Sequence, residues 1–316
     1  MDGGGSRTRC AAFGLNGELL ADIETGPSNH LQVERELVLQ SLTEAVRAVM
    51  AKCARDLTDV ICVSAGLAGV DVDGTGSDEM AKILEGLGFQ RLVINGDMVI
   101  AHAGALGGDP GVIALAGTGS SILGVNESGE RVKVGGWGPI FGDEGSAYRI
   151  GQEALRASAR AFDGRGPTTA LTDVINYTFG LNSFSETLGA VYSNELKPRD
   201  IAALSRPVYA AAEAGDETAR NIFLKAGEEL ADCVDAAIRR LEMDGTGCKL
   251  SYQGAVLESC AIARESFAEQ LIRIHSNCQL IPPMTSPLAG AYLLGLRSIG
   301  IVPGDEILSR LASTQI

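Results

Sequence analysis

Residues 111–146 read GVIALAGTGSSILGVNESGERVKVGGWGPIFGDEGS, and the fold of the whole chain can be inferred outward from this stretch. The apolar run at residues 112–116 has the length and composition of a buried strand. It leads into a loop of small residues, GTGSS at 117–121, whose backbone N–H groups and hydroxyls can approach a phosphate closely. The stretch therefore predicts a strand that ends in an anion-binding turn.

The second half of the stretch predicts a hairpin and then a ligand site. We expect strands at residues 122–125 and 132–134, joined by a turn. Two glycine-rich turns and the acids Asp143 and Glu144 then surround Trp137, the single tryptophan of the chain. Binding sites for small ligands usually form at strand ends and turns, so we expect one here.

The N-terminal region follows the same order of elements. A glycine-rich loop with hydroxyls, DGGGSRT at residues 2–8, precedes predicted strands at 9–13 and 19–24. Asn16-Gly17 between these strands is a strong hairpin-turn signal, and a helix follows. The two regions share element order and turn chemistry rather than residue identity, which indicates an internal structural repeat. We therefore predict two related α/β halves that face each other.

The remaining elements complete an α/β pattern. Val38, Leu42, Val46, Val49 and Cys53 recur at helical spacing, which predicts a long amphipathic helix. Further strands are expected at 59–65, 91–95 and 249–252, and further helices at 76–86, 99–106, 146–161, 183–191, 198–214, 217–241, from Pro287 onward and at 305–312. The best linker is GGDPG at 107–111, so we expect one domain at residues 1–110 and a second at 111–316, with the last helix available to pack back on the first.

Composition and charge limit the partners of the protein. The net charge of −14 over 316 residues argues against nucleic acid and against anionic membrane surfaces as partners. The sequence contains no apolar run of membrane-spanning length. Seven scattered cysteines without a CxxC pair favour reduced thiols and a cytoplasmic location. The three histidines lack metal-ligand spacing, which argues against a protein-held metal centre.

Asp97 is the candidate catalytic residue. It directly follows the predicted strand at 91–95, and open α/β sheets bind ligands at the carboxyl ends of their strands. It could serve as a helix N-cap, or as a general base that orients and deprotonates an attacking hydroxyl. The second role needs phosphate loops, and glycine turns at 2–8, 117–121 and 254–256 have the ingredients of an ATP clamp in which Mg²⁺ offsets charge. None of them is a Walker A loop, because the sequence contains no GxxxxGK[ST].

Other polar residues suit a sugar ligand. Asp143 can accept hydrogen bonds from two neighbouring sugar hydroxyls, although acids before a helix are also favoured by the helix dipole. Asn29 can cap the helix that follows it, or hydrogen-bond a sugar through its amide. Trp137 could lie in the core, but its position between glycines favours a pocket wall.

These residues together resemble the BadF/BadG/BcrA/BcrD ATPase family and, within it, the N-acetylglucosamine and glucosamine kinases of the actin, hexokinase and heat-shock ATPase superfamily. DGGGSRT looks like the first phosphate motif, AGTGSS like the second and YQGAV like the adenosine motif. GPSN, NGD and GGWGPIFGDEGSAY resemble the amino-sugar site of these kinases, and the last is the most specific of the three. The resemblance covers essentially the full chain.

The resemblance implies two actin-like ATPase (ribonuclease H-like) α/β domains with a cleft between them. It implies ATP-dependent phosphorylation of a small-molecule amino sugar at its 6-hydroxyl, with Mg²⁺ positioned through water by Asp2 and with Asp97 as base. Implied ATP-binding residues are Asp2, Gly4, Gly5, Ser6, Thr118, Gly119, Gly254 and Ala255. Implied sugar-binding residues are Asn29, Asp97, Ser120, Ser121, Gly136, Trp137 and Asp143. A homodimer is compatible with the resemblance, and the sequence does not decide the oligomeric state.

Three alternatives stay open at this point. The neutral groups of Asn29, Ser120 and Ser121 favour N-acetylglucosamine, whereas Asp143 leaves room for a glucosamine kinase. An ATP-driven activator of a radical dehydratase or reductase shares the ATP loops, but no paired cysteines follow the glycine loops here. A regulatory sugar-binding protein would not require the intact Asp97.

Two departures from the family pattern are visible. Ala255 stands where a second glycine is common in the adenosine motif. The phosphate loop follows Met1 directly, without the apolar strand that normally precedes it. We therefore expect the chain to be an incomplete copy that lacks roughly five to eight mostly apolar residues, the length of an ordinary strand.

Overall fold

Within residues 1–193, 195–244 and 247–314, which the computed structural model describes, the strands form two five-stranded sheets. The strands are β1 Asp2–Gly3, β2 Thr8–Phe13, β3 Leu19–Thr25, β4 Val63–Leu67, β5 Leu92–Asn95, β6 Gly111–Ala116, β7 Ser120–Val125, β8 Arg131–Gly135, β9 Lys249–Gln253 and β10 Gln279–Leu280. The sheet orders are β3-β2-β1-β4-β5 and β8-β7-β6-β9-β10. If the five strands of each sheet are counted in chain order, both sheets have the spatial order third, second, first, fourth, fifth. This shared order confirms the predicted internal repeat.

Helices follow the strands in the pattern expected of an α/β fold. They are α1 Arg35–Lys52, α2 Ser77–Glu85, α3 Asp97–Ala105, α4 Ala147–Phe162, α5 Leu171–Phe179, α6 Glu186–Tyr192, α7 Pro198–Ala203, α8 Ser205–Glu213, α9 Glu217–Arg240, α10 Ala255–Ser259, α11 Ala261–Ile274, α12 Pro287–Ser298 and α13 Asp305–Ser313. No described helix is long and apolar enough to cross a membrane.

The chain divides into two compact units. Unit 1 comprises Met1–Ile113, Val125–Val132 and Ile281–Ile316, and unit 2 comprises Ala114–Gly124 and Lys133–Leu280. The predicted division into domains at residue 110 stays a prediction.

In unit 1, α1 buries the predicted apolar face. Val38 and Leu42 are fully buried, and Val46 and Val49 lie in the same core cluster. Burial of such side chains contributes about 1.5–3 kcal/mol each relative to exposure. The predicted amphipathic helix is therefore confirmed.

Small residues let helices pack closely, as expected for the segment from Pro287 onward. In unit 1 a Cβ atom at Gly290 of α12 would lie 1.9 Å from Ile100 O of α3. In unit 2 a Cβ atom at Gly227 of α9 would lie 2.4 Å from Ala263 O of α11. Any larger residue at these glycines would push backbones apart.

Two predicted elements differ from the structure. The helix expected at 198–214 is split into α7 and α8 at Leu204, because Pro207 in the first turn of α8 has no N–H to donate to Ala203. The strand expected at 59–65 begins only at Val63, since Leu57–Asp59 forms a 3₁₀ turn. The sequence analysis also missed α5, α11 and β10.

The central strand of the first sheet is short. β1 pairs through Asp2 and Gly3 with Arg9 and Thr8 of β2 on one side, and with Gly66 and Leu67 of β4 on the other. The Met1 ammonium donates to Ser64 O at 2.7 Å, and burial lowers the pKa of this amino group. Beside Met1 lies a groove of about 420 Å³, lined by residues 10–15 of the β2 side, 59–64 of the β4 side and part of α12.

Candidate functional site

The glycine loop of unit 1 begins where β1 ends. A Cβ atom at Gly3 would lie 2.2 Å from Ser28 Oγ, so a larger residue there would displace the Ser28 side chain. Gly4 N donates to Arg7 O at 2.9 Å, which closes the turn. Gly5 and Ser6 at its tip are exposed, as contacts to a phosphate require. Asp2 lies at the strand end, with its carboxylate 3.9 Å from the Arg9 guanidinium.

The loop that carries Asn29 is hydrogen-bonded to this glycine loop. The backbone N–H groups of Ser28 and Asn29 both donate to Gly4 O, at 2.9 and 3.2 Å. Thr8 Oγ1 donates to Ser28 Oγ at 2.8 Å. Asn29 is buried and its Oδ1 accepts from Leu31 N at 3.0 Å, so the group it can offer a ligand is its amide NH₂.

The turn after β4 contacts both this loop and the start of α3. A Cβ atom at Gly69 would lie 3.0 Å from Asn29 Oδ1. A Cβ atom at Gly96 would lie 2.5 Å from Val70 O. Asn29 and Asp97, both predicted to bind sugar, are therefore connected in unit 1 through the neighbouring turn residues Gly69 and Val70.

Asp97 is the first residue of α3. Gly96 holds the N-cap position, so the interpretation of Asp97 as an N-cap is wrong. Asp97 is exposed at the N-terminus of this helix. Oδ1 accepts from Met98 N at 2.8 Å.

The glycine loop of unit 2 lies between β6 and β7. Gly117 N donates to Gly119 O at 2.9 Å. The first backbone amides of α4 hold the loop: Ala147 N donates to Gly117 O at 2.9 Å and Tyr148 N to Thr118 O at 3.1 Å. The Thr118 side chain is exposed at the loop tip.

The predicted adenosine turn lies directly against this loop. Gly254 has φ 100°, and a Cβ atom there would lie 2.4 Å from Ala116 O. Gly254 N donates to Glu258 Oε1 at 3.0 Å, and the exposed Ala255 begins α10. Thus unit 2 brings together Thr118, Gly119, Gly254 and Ala255, the four residues predicted to bind ATP in this part of the chain.

Asp143 is buried against the same loop. It is 8% exposed and has φ 58°, a left-handed conformation that costs a non-glycine residue about 1–3 kcal/mol. Ser120 N lies 3.4 Å from Asp143 Oδ1. Burial raises the pKa of the Asp143 carboxyl, the Ser120 N–H opposes this, and the nearby Glu144 charge adds to it. A strained buried acid is typical of a ligand site.

The two serines of the loop differ in their hydrogen bonding. Ser120 Oγ donates to Glu144 O at 2.7 Å. Ser121 Oγ is buried without a hydrogen-bond partner among the described residues, and a Cβ atom at Gly136 would lie 2.8 Å from it. A buried hydroxyl left unpaired costs about 1–3 kcal/mol, so a ligand that pairs with it gains affinity.

Trp137 is not a core residue. It is 69% exposed, and its ring stacks on that of Phe141, itself 73% exposed, with centroids 6.5 Å apart. Gly142 N donates to Gly138 O at 2.9 Å and closes the loop between the two rings. Whether Trp137 forms a pocket wall stays a prediction.

Three further residues of unit 1 lie at the candidate site and were not predicted from the sequence. The Nδ1 atom of His30 is buried and has no hydrogen-bond partner among the described residues. The Gln32 side chain lies beside Gly5, where a Cβ atom would be 2.3 Å from its Oε1. Arg131 contacts the loops after β4 and β5. His30 and Gln32 are adjacent to the GPSN motif and could have been found there, whereas nothing in the sequence singles out Arg131.

Two sheets of matching strand order, each with a glycine loop after its central strand, define an actin-like ATPase fold. The chain belongs to the BadF/BadG/BcrA/BcrD ATPase family, whose model matches residues 1–295. It is 30% identical over 296 residues to an N-acetylmuramic acid/N-acetylglucosamine kinase of Clostridium acetobutylicum, covering 93% of this chain and 96% of that protein. It is also 30% identical to an N-acetyl-D-glucosamine kinase of Dictyostelium discoideum, covering 94% and 97%. Among solved structures it is similar to a candidate N-acetylglucosamine kinase from Chromobacterium violaceum, with a TM-score of 0.72, 26% identity and coverage of 93% and 96%.

Proposed function

We propose that the protein is an ATP-dependent kinase that phosphorylates the 6-hydroxyl of N-acetylglucosamine in the cytoplasm. The observation that carries the proposal is the contact between the buried Asp143 and the Gly119-Ser120 backbone in unit 2. It connects a carboxylate suited to sugar hydroxyls to a loop suited to ATP phosphates. The kinase names of two relatives that match nearly the full chain support the same activity.

In the proposed reaction, Asp97 accepts the proton of the sugar 6-hydroxyl. At the same time the oxygen of that hydroxyl forms a bond to the γ-phosphorus of ATP. The bond between the γ-phosphorus and the bridging β–γ oxygen breaks, which yields ADP and the sugar 6-phosphate. Ser6 and Thr118 contact the phosphates, and Gly254 and Ala255 pass near the adenosine. Catalysis of this kind depends mainly on positioning and electrostatic stabilisation.

The Asp2 carboxylate suits Mg²⁺ held through water, because Mg²⁺ retains several waters and uses few protein carboxylates beside substrate phosphates. Its half-buried position as the first residue of β1, which leads into the glycine loop, fits that role. Mg²⁺ bound there would offset phosphate charge.

Neutral groups in the candidate sugar site favour N-acetylglucosamine over glucosamine. Asn29 offers an amide NH₂, and Ser121 offers a buried hydroxyl without a described partner. A site built for a polar substituent rejects an analogue that lacks it, since its own buried groups stay unpaired.

A coupled ADP-release assay with N-acetylglucosamine, glucosamine and glucose tests the proposal. We expect sugar-dependent ADP release that EDTA abolishes, with the highest kcat/KM for N-acetylglucosamine. A higher kcat/KM for glucosamine would reverse the substrate ranking. ATP hydrolysis that is indifferent to every sugar would refute the kinase proposal and favour the activator alternative.

A further inference from the structure

Two neighbouring loops of unit 1 determine where Asp97 lies. One is the turn after β4, which contains Val70 and Val72, and the other is the segment from Asn95 to Asp97 that joins β5 to α3. The two touch at Gly96, where a Cβ atom would lie 2.5 Å from Val70 O.

Arg131 supplies hydrogen bonds to both loops. It is the first residue of β8, and its Nη1 donates to Val72 O at 3.1 Å and to Asn95 Oδ1 at 3.2 Å. A single guanidinium nitrogen therefore joins the turn after β4 to the last residue of β5. Asn95 is also the first residue of the NGD motif, two positions before Asp97.

We propose that Arg131 is a positioning residue for Asp97, which holds the start of α3 by joining Val72 and Asn95. The proposal rests on the proposed function, in which Asp97 is the base. Arg131 itself does not touch the substrate in this proposal. It acts on the angle and distance at which the Asp97 carboxylate meets the sugar hydroxyl, and small displacements of a reacting group reduce rates strongly.

The chemistry of the contact predicts which replacements preserve it. Because one nitrogen makes both bonds, lysine is the replacement expected to preserve them best: its Nζ carries three donors, although it reaches one atom less far than Nη1. Glutamine is too short to join both acceptors. A surface residue that does not position Asp97 would tolerate both replacements equally, since exposed polar contacts contribute little.

The experiment compares Arg131→Gln and Arg131→Lys in the ADP-release assay with N-acetylglucosamine. We expect Arg131→Gln to lower kcat by about tenfold or more while the KM for ATP stays within about twofold. Arg131→Lys is expected to retain at least about half of kcat, by the donor argument above. Arg310→Gln is the matched control, because Arg310 also donates to a loop carbonyl of unit 1, Asn16 O, at 3.1 Å.

A double mutant separates positioning from general destabilisation. If Arg131 acts through Asp97, Arg131→Gln should not further reduce the residual transfer of Asp97→Asn, whereas independent effects would multiply. Asn95→Ala removes the same hydrogen bond from its acceptor side and should reproduce the loss of kcat even if Arg131→Gln folds poorly. Wild-type kcat in Arg131→Gln, equal losses in Gln and Lys variants, or a further loss on top of Asp97→Asn would each overturn the proposal alone. Full activity of Asp97→Asn would overturn both this proposal and the role of Asp97 as base.

Discussion

The two sheets share one strand order but differ in their central strand. β6 of the second sheet has six residues, with Val112, Ile113 and Ala114 fully buried. β1 of the first sheet has two residues, and a groove of about 420 Å³ lies beside it. The two sheets thus share their element order although their central strands differ in length.

The glycine loops that follow these strands also differ in how they are held. The loop of unit 2 accepts hydrogen bonds from the first amides of α4, at Ala147 and Tyr148. The loop of unit 1 accepts them instead from Ser28 and Asn29, within the GPSN motif. The two related loops are therefore hydrogen-bonded by different segments. The loop of unit 2 is held by the start of a helix, and the loop of unit 1 by a candidate sugar-binding segment.

The largest expected effect is a loss of kcat caused by a single change in unit 1. Asp97→Asn keeps the shape of the side chain but removes the proton acceptor, so we expect kcat to fall by about 10²–10⁴-fold. The change leaves the residues of the unit 2 turns that we propose to bind ATP unaltered, so we expect the Kd for ATP to stay within about twofold. Steady-state kinetics and ATP titration measure the two quantities. Retention of more than about a tenth of wild-type kcat would show that Asp97 is not the base.

Local chemistry explains what could be predicted from the sequence. The strand order, the glycine loops and α1 follow from turn residues and apolar spacing within short segments. The split at Leu204 could also have been predicted from Pro207, but α5 and α11 lack strong capping signals. Arg131 and the positive φ of Asp143 could not be predicted, because both arise from contacts between segments far apart in the chain.

The next effect concerns α3, which carries Asp97 at one end and His102 at the other. His102 is buried, its Nε2 lies 3.0 Å from Gly111 O at the start of β6, and burial lowers its pKa from 6.5 to about 4. The folded state therefore binds fewer protons than the unfolded state between these pH values. The associated stability is fully present above pH 6.5 and is lost as the pH falls toward 4, by about 3 kcal/mol in total.

His102→Gln keeps an N–H donor but cannot take up the proton. We expect Tm to fall less steeply between pH 7 and 5 in this variant than in the wild type. Thermal unfolding across that range measures the difference. Parallel curves for the two proteins would contradict a coupling between folding and protonation of His102.

A smaller effect is expected in the second half, at the contact between the adenosine turn and β6. Gly254→Ala places a Cβ atom 2.4 Å from Ala116 O, so the turn must move away from the Gly117 loop. We expect the Kd for ATP to rise by about tenfold, or about 1.4 kcal/mol. Gly215→Ala is the matched control, because Gly215 has φ 97° but no atom within 4 Å of its added Cβ. Equal ATP affinities in the two variants would show that the contact between Gly254 and Ala116 does not affect ATP binding.

The smallest expected effect tests the short central strand itself. β1 pairs with β2 only at Thr8 and Arg9, so residues 10–13 of β2 face the groove with β3 as their partner on the other side. Five apolar, β-branched residues attached before Met1 could continue β1 between β2 and β4. Each new hydrogen bond contributes about 0.5–1.5 kcal/mol, while ordering each residue costs about 1–2 kcal/mol, so burial of apolar surface decides the sign.

We expect a net gain of about 1 kcal/mol, which raises Tm by about 2–4 °C in a unit of this size. The control is an extension of equal length made of glycine and serine, which can pair but buries no apolar surface in the groove. The apolar extension also converts the buried Met1 ammonium into an uncharged peptide N–H, which can still donate to Ser64 O. An apolar extension that is no more stabilising than the glycine–serine one would show that the groove does not accept a strand.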